Sequence, residues 1–427
     1  MKLTLERIAF YLTCGSAAAI LVSIAISQVL LGLAIATLLI SKERIRFPPI
    51  KLPLALYFAW TIASLLLSGA IRDGTPQIRK FLVFFILLLV YSTFHKVSEA
   101  RWVILLWTAL ATLSAVRSLF QFARKYTEAS EQHQNFYDFY VGARITGFMS
   151  HWMTFGGQEM IVLLVLLAYL FWSGERRWKA LGWACAAVLG VSLVLGWTRS
   201  IFLLGLPAGL LYLLWFWRRW LVIAAPIAFV AVIFLSPAAM RERVTSIFQP
   251  HGTTDSNEHR NITRRTGFNM IRLHPWFGVG PEQVKAHFDD YVPADIPRPL
   301  PIGWYGHLHN IYLQYAAERG IPLLIFVLWM IGKILYDFAR ALRRKPLDPE
   351  ERFILHGAIA VIIAILAEGF LEYNLGDSEV LTMFLTVVGF GYVAVSAAAP
   401  TRSATQPPDP PALHGAPAAT QPSVQSP

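Results

Sequence analysis

The stretch AFYLTCGSAAAILVSIAISQVLLGLAIATLLI, residues 9–40, contains no charged side chain. A helix needs about 20 apolar residues to cross a hydrocarbon core of about 30 Å, so this run is long enough for two short crossings. Ser27 and Gln28 mark the turn between them. Similar runs recur along most of the chain, too often for a cleaved signal peptide to explain them. The sequence therefore predicts an all-α polytopic membrane protein.

The composition supports this prediction. The chain has 427 residues, of which 56% are hydrophobic and 15% are charged, whereas soluble domains carry about 25% charged residues. Charged and Gly/Pro-rich breaks divide it into about twelve predicted transmembrane helices. These lie at roughly 8–24, 26–41, 52–69, 79–95, 101–121, 152–172, 179–197, 200–217, 219–236, 309–336, 352–371 and 379–398.

The distribution of Lys and Arg predicts the orientation in the membrane. The basic clusters SKERIRFPPIK, GERRWKA, FWRRW and RALRRKP follow the second, sixth, eighth and tenth predicted spans. The positive-inside rule makes that side cytoplasmic, so both termini are predicted to lie inside. Arg79 and Lys80, at the outer end of the fourth span, run against the rule.

This orientation leaves one large periplasmic loop. Residues 1–236 are predicted to hold nine spans, 237–308 the loop, 309–398 three more spans and 399–427 a disordered cytoplasmic tail rich in Pro, Ala, Ser and Gln. A loop this long is usually functional or disordered. Its amphipathic stretch NITRRTGFNMIRLH, residues 261–274, predicts a helix and an ordered loop.

The net charge of +11 does not indicate nucleic-acid binding. The basic residues are spread over short loops between apolar runs, which is typical of topology signals beside anionic membrane lipid. The sequence contains neither a P-loop nor a G-x-S-x-G motif, so a nucleotide-driven reaction is not expected. Any energy for a reaction must then come from the substrate.

His307 and His309 lie where the large loop returns to the membrane, in GHLHN, residues 306–310. The imidazole group, with an unperturbed pKa near 6.5, suits a general base for a hydroxyl. If the helix begins near Leu308, the two rings point about 200° apart and do not share one task. The alternative is an interfacial histidine that bonds to backbone or lipid phosphate.

Arginines on the same outer side form a candidate anion site. Arg199 interrupts two apolar spans in LGWTRSIFLL, where a charge must face a polar cavity and an anionic partner. Its planar fork of donors suits phosphate, unless the side chain snorkels to the head groups. Arg260, Arg264 and Arg265 lie on the predicted loop helix as a cation patch or, alternatively, a solvated face.

Carboxylates on the outer side lack a spacing that predicts a metal site. HFDDYVPAD (287–295) and AEGFLEYNLGDSE (367–379) contain no D-x-D pair and no convincing His/Asp cluster. We therefore predict no metal and no cofactor. An arginine-lined cavity beside a base fits a lipid-linked diphosphate, whose departing diphosphate the arginines would neutralise.

Three motifs carry a family resemblance. RITGFMSHWMTFGG (144–157) is similar to an R-x-x-G segment, and MIRLHPWFGVGPEQV (270–284) is similar to an h-P-x-x-G-x-G loop element. HLHNIYLQYAAERGIPLLI (307–325) matches the pattern H-N-x-Y-L-x-x-x-x-E-x-G. With these motifs the chain resembles the bacterial O-antigen ligases, within a group that includes O-antigen polymerases and bacterial O-linked oligosaccharyltransferases.

The resemblance implies a C-type glycosyltransferase architecture and metal-independent, inverting transfer. Polysaccharide would move from undecaprenyl diphosphate to a sugar hydroxyl of the lipid A core, on the periplasmic face of the bacterial inner membrane. His309 would be the base, and Arg199, Arg260 and Arg265 would bind the diphosphate. The supporting residues that it implies are His307, Asn310, Arg264, Arg144 and Glu318. Family members often have an aromatic residue four positions after the first loop arginine. The corresponding residue here is Arg264, so the choice among the loop arginines stays open.

Three other functions stay open from sequence. A polymerase would use the same donor with another lipid-linked chain as acceptor. A protein O-glycosylating enzyme usually has a longer C-terminal periplasmic region. A transporter or flippase predicts paired broken helices and inverted symmetry, which the sequence does not display.

Overall fold

The structure is a computed structural model that describes residues 4–41, 44–172, 176–246, 257–301, 303–344 and 347–397. The regular structure in these ranges is helical. The predicted disordered tail lies outside the described residues.

Seventeen α-helices are present in the described ranges, with short 3₁₀ turns at Arg176–Trp178 and Asn374–Gly376 and a π-helix at Ser200–Gly205. The α-helices are α1 Leu5–Ala19, α2 Ile24–Ser41, α3 Lys51–Leu67, α4 Ile71–Arg79, α5 Phe81–Thr93, α6 Val97–Glu131, α7 Phe136–Gly142, α8 Trp152–Trp172, α9 Lys179–Leu195, α10 Leu206–Trp217, α11 Leu221–Leu235, α12 Ala238–Thr245, α13 Asn257–Leu273, α14 Phe288–Tyr291, α15 Ile311–Leu342, α16 Pro349–Glu368 and α17 Ser378–Ala397.

Several of these helices could cross a membrane. In the described ranges, seven helical segments are long and apolar enough by length and composition, and α3, α9 and α11 are shorter apolar helices. The seven are Ile24–Ser41, Ile71–Thr93, Val97–Glu131, Trp152–Trp172, Ser200–Trp217, Ile311–Leu342 and Ser378–Ala397. Each of the twelve predicted spans overlaps helical structure, but the turn predicted at Ser27 and Gln28 is wrong, because α1 ends at Ala19 and α2 begins at Ile24. Ser27 instead packs inside the bundle, where its hydroxyl donates to the carbonyl of Ser16 at 2.8 Å. The number twelve itself stays a prediction.

The most buried helices form the centre of the bundle. In the most apolar 18-residue stretch of α8, 94% of the residues are buried, and in that of α17, 83% are buried. A helix that is apolar on all faces needs neighbours all round, and α8 finds them in α16, α9, α6 and α17. By contrast, α11 has no buried residue, so it lies at the periphery with its apolar surface available to lipid.

A break at Gly320 divides α15 and fixes the outer loop to the bundle. Gly320 has φ 84° and ψ 164°, a conformation that is essentially restricted to glycine. The loop after α13 pairs with the break, because the amides of Val279 and Gly280 donate to the carbonyls of Ala317 and Glu318 at 2.8 and 2.9 Å. The break therefore connects the first turns of α15 rigidly to the segment that follows α13.

Candidate active site

A cavity of about 720 Å³ lies where the ends of several helices meet the segments around α7, α13 and α14. It brings together six of the residues singled out from sequence: Arg144, Arg199, Arg260, His307, His309 and Glu318. Other charged and imidazole side chains of the lining are Lys80, His151, Arg243, His259, Glu282, Glu372 and Asp377. Residues far apart in sequence thus build one polar chamber inside an apolar bundle.

The histidine pair corrects one expectation. The rings of His307 and His309 lie 4.1 Å apart, centroid to centroid, and do not diverge. The helical geometry that we assumed does not apply, because α15 begins only at Ile311. Asn310 caps that helix: its Oδ1 accepts from the amide of Leu313 at 2.8 Å, and its Nδ2 donates to the carbonyl of Phe370 at 2.9 Å.

His309 is held in an unusual backbone conformation. Its φ is 48°, in the left-handed region that non-glycine residues rarely occupy. Its amide donates to Nδ1 of His307 at 3.1 Å. Its own Nδ1 lies 3.2 and 3.3 Å from the two carboxylate oxygens of Glu372. Strain of this kind persists only where the surroundings fix it, and it occurs often at functional sites.

The other ring nitrogen of His309 faces a replaceable partner. Its Nε2 lies 3.3 Å from the carbonyl oxygen of Trp304. That carbonyl already has a closer contact, since Nε2 of His259 is 3.0 Å away. The carbonyl of Trp304 can accept only from a protonated Nε2. In the neutral tautomer whose Nδ1–H donates to Glu372, Nε2 carries the lone pair, makes no bond to that carbonyl and can accept from a substrate hydroxyl in the cavity.

Glu372 is the anion of this group. Burial would raise the pKa of its carboxyl, but the hydrogen bond from His309 and the electrostatic effects of His309, His307 and Arg260 together lower that pKa to about 2. Glu372 is therefore ionised at neutral pH. Burial and the neighbouring His309 lower the pKa of His307 to about 3, so that ring is neutral.

The same three side chains form a candidate metal group that sequence spacing did not predict. Ligand atoms of His307, His309 and Glu372 all lie within 4.8 Å of one another. Two imidazoles and a carboxylate are a common ligand set for Zn²⁺. The arginines that line the same cavity oppose a divalent cation there.

Arginines form a cationic wall of the cavity. Burial, followed by repulsion from Arg243 and Arg260, lowers the pKa of Arg144 to about 9. Burial likewise lowers the pKa of Arg260, and Arg243 adds to the effect. Within the described part of the chain, the guanidinium of Arg260 makes no hydrogen bond. Cations that line one largely buried cavity are stabilised by an anion placed between them.

Arg199 and Arg243 are positioned by the turns around them. Arg199 donates to Oγ of Ser246 at 3.1 Å and to Oδ1 of Asn257 at 2.9 Å. Arg243 donates to the carbonyl of Trp197 at 3.2 Å. Both arginines are about 95% buried yet reach the cavity, so they do not snorkel to a head-group layer.

The other two loop arginines do not reach the cavity. Arg265 pairs with Asp295 on the surface through two hydrogen bonds of 2.9 and 2.8 Å, and Arg264 is exposed beside Asn261. Five residues of α-helix place Arg265 about 140° around α13 from Arg260. Of the predicted loop patch, Arg260 alone lines the chamber.

Several residues of the chamber were not identified from the sequence. Arg243 lies on α12, a short helix without a motif, and His259 immediately precedes Arg260 on α13. Glu372 was noticed only as one of a few carboxylates. Its position in the connection between α16 and α17, 63 residues after His309, gives no signal of contact. A helical-wheel reading of α13 would have found His259 on the buried face.

A protein-family model described as O-antigen ligase matches residues 184–328. The matched segment includes Arg199, Arg243, Arg260, His307 and His309, which all line the cavity. A search of curated proteins found no match. The match covers about a third of the 427-residue chain and supports membership of the O-antigen ligase/polymerase superfamily.

Proposed function

We propose that this member of the O-antigen ligase/polymerase superfamily is the ligase of lipopolysaccharide assembly. It would transfer polysaccharide from undecaprenyl diphosphate to a sugar hydroxyl of the lipid A core. The reaction would occur on the periplasmic face of the bacterial inner membrane, with both termini of the multi-pass chain in the cytoplasm. The observation that carries this proposal is one cavity with an arginine wall and a His309–Glu372 pair.

The arginine wall would bind the donor. A diphosphate carries negative charge that complements the guanidinium groups of Arg144, Arg199, Arg243 and Arg260, which line the same cavity. Guanidinium groups bind phosphate oxygens through paired hydrogen bonds. Negative charge on the diphosphate grows as its bond to the sugar breaks. Fixed arginines in a partly buried site stabilise that charge without reorganisation.

His309 would activate the acceptor. Its Nε2 takes the hydroxyl proton while the hydroxyl oxygen attacks the anomeric carbon from the side opposite to the diphosphate. The bond between that carbon and the phosphate oxygen breaks, and undecaprenyl diphosphate leaves with the bonding electron pair. The anomeric configuration is inverted. Glu372 holds Nδ1–H and stabilises the imidazolium that forms, as the carboxylate of a catalytic triad does.

We propose that the transfer needs no metal. The arginines supply the positive charge that a metal ion supplies to phosphoryl leaving groups elsewhere. The candidate group of His307, His309 and Glu372 makes this testable, because a required ion there would be removed by a chelator. Activity should persist in excess chelator.

The experiment that tests the proposal is the lipopolysaccharide banding pattern of a deletion strain complemented with variants. The deletion strain should accumulate long polysaccharide on undecaprenyl diphosphate and uncapped lipid A core. His309→Ala should fail to restore capping, whereas His287→Ala, an exposed histidine outside the cavity lining, should restore it. A loss of long chains on the lipid carrier would contradict the ligase and favour a polymerase.

A further inference from the structure

Lys80 and Glu282 form an ion pair in the cavity wall that the proposed mechanism does not use. Nζ of Lys80 lies 3.0 Å from Oε1 of Glu282. Lys80 stands between α4 and α5, and Glu282 belongs to the segment between α13 and α14, so the pair joins two separate parts of the chain. Both side chains are partly exposed and both line the cavity.

The backbone at Glu282 is strained. Its φ is 61°, in the left-handed region where a non-glycine residue is uncommon. The amide of Glu282 donates to Oε1 of Glu318 at 3.1 Å, which helps to hold this conformation. Glu318 is buried and also contacts the guanidinium of Arg319 at 3.2 Å. A buried carboxylate thus fixes a strained residue that presents its own carboxylate to the cavity.

The pair belongs to a different electrostatic environment from the arginine wall. The charged groups that act on Arg144 are Arg243, Arg260 and Arg199. Those that act on Glu318, the neighbour of the pair, are Arg319, Glu282 and Lys80. Contacts support the same division: Lys80 bonds to Glu282, whose amide bonds to Glu318, and in the described residues none of these contacts involves an arginine of the wall. The cavity therefore has a cationic region for the diphosphate and a second region of mixed charge.

The mixed-charge region suits a sugar that carries both hydroxyls and an anionic substituent. In the described residues, the contact between Lys80 and Glu282 uses one of three ammonium protons and one of two carboxylate oxygens. The remaining protons suit a phosphate or carboxylate, and the remaining oxygen suits a hydroxyl proton. An ion pair this exposed is weak, so a ligand can displace it at little cost.

We propose that Lys80 and Glu282 are the recognition site for the acceptor, a sugar with an anionic substituent, and this proposal rests on the proposed function. The diphosphate of the donor occupies the arginine wall in that mechanism, which leaves the mixed-charge region to the second substrate. His309 then takes its proton from the hydroxyl of the bound acceptor.

The test is a kinetic comparison of purified variants in nanodiscs, with lipid-linked donor and core acceptor varied separately. Glu282→Gln and Lys80→Met should each raise the KM for the acceptor about ten-fold or more, because each loses a hydrogen bond to or from a charged group. The KM for the donor should stay within about two-fold. Arg272→Met, a cation on α13 outside the cavity lining, is the control and should change neither value.

A charge-swapped double variant separates recognition from structural support. Lys80→Glu combined with Glu282→Lys restores an ion pair between the two segments. If the pair only joins the segments, the swap should recover the wild-type acceptor KM, and that result would overturn the proposal. If the pair recognises the acceptor, the swap should leave the acceptor KM raised.

Other outcomes also decide the question. A defect that follows the anionic lipid content of the nanodisc would assign Lys80 to lipid head groups and overturn the proposal. An equal rise in donor KM would overturn it as well. Wild-type protein that transfers nothing would instead reject the proposed function, so the two failures are distinguishable.

Discussion

Replacing Glu372 by Gln tests the role of the carboxylate beside His309. The change keeps the size of the side chain and one acceptor oxygen, so the ring of His309 can stay in place. It removes the negative charge that stabilises the imidazolium formed during proton transfer. Nδ1 of His309 lies 3.2 Å from Oε1 of Glu372, so the loss of this charge acts directly on the ring.

The expected magnitude follows from that contact. A hydrogen bond to a charged group contributes about 1.5–3 kcal/mol, and about 1.4 kcal/mol corresponds to a ten-fold change in rate. Glu372→Gln should therefore lower kcat about 10- to 100-fold with little change in either KM. Complete loss of the base in His309→Ala should cost about 10²- to 10⁴-fold.

The assay is steady-state transfer between purified donor and acceptor, with Glu258→Gln as an exposed control on α13. The double variant of His309→Ala and Glu372→Gln should be no slower than His309→Ala, because residues that act as one unit are not additive. Wild-type kcat in Glu372→Gln would refute the reasoning. Losses that multiply in the double variant would refute it too.

Three further substitutions test donor binding, the pH dependence of stability and the break in α15. Arg260→Ala should raise the donor KM and lower kcat, whereas Arg265→Ala, on the surface, should leave both unchanged; equal defects would restore Arg265 to the donor site. Burial and neighbouring His309 lower the pKa of His259 to about 4, so the unfolded chain binds the extra proton first as pH falls from about 6.5 to 4. His259 should contribute about 3 kcal/mol to the stability that the wild type loses over that range. His259→Gln should flatten this loss, and an unchanged slope in thermal unfolding would contradict the assignment. Gly320→Ala places a Cβ 1.8 Å from the backbone carbonyl oxygen of Trp276, in the segment after α13, whereas Gly332→Ala in the same helix meets nothing within 4 Å. Gly320→Ala should therefore lower the melting temperature by several degrees or more, and Gly332→Ala should not. Equal melting temperatures would contradict the role of the break.

The positions of the helices could be predicted because a span must be both long and apolar. The breaks inside them could not be predicted in the same way. The span expected at 79–95 corresponds to α5, Phe81–Thr93, but the short helix α4, Ile71–Arg79, directly precedes it and was not expected. The helix α6 continues to Glu131, ten residues past its expected end. Within α15, Gly320 and Pro322 are visible in the sequence, but the loop that makes the break stable is distant in sequence.

A site residue could be predicted where its position in the sequence allows only one environment for its side chain. An arginine inside an apolar region, such as Arg199, must face a cavity, and the structure places it there. An arginine in a loop can instead lie in solvent at little energetic cost, as Arg265 does beside Asp295. The His309–Glu372 contact joins segments 63 residues apart through a non-helical turn, so no periodicity could indicate it.

The most direct test of the central claim is transfer by purified protein in excess chelator, followed by the anomeric configuration of the new linkage. A covalent product with inverted configuration is expected from the wild type, and a rate about 10²- to 10⁴-fold lower is expected from His309→Ala, although that variant still binds undecaprenyl diphosphate. Product from His309→Ala at the wild-type rate, or a retained configuration, would contradict the central claim.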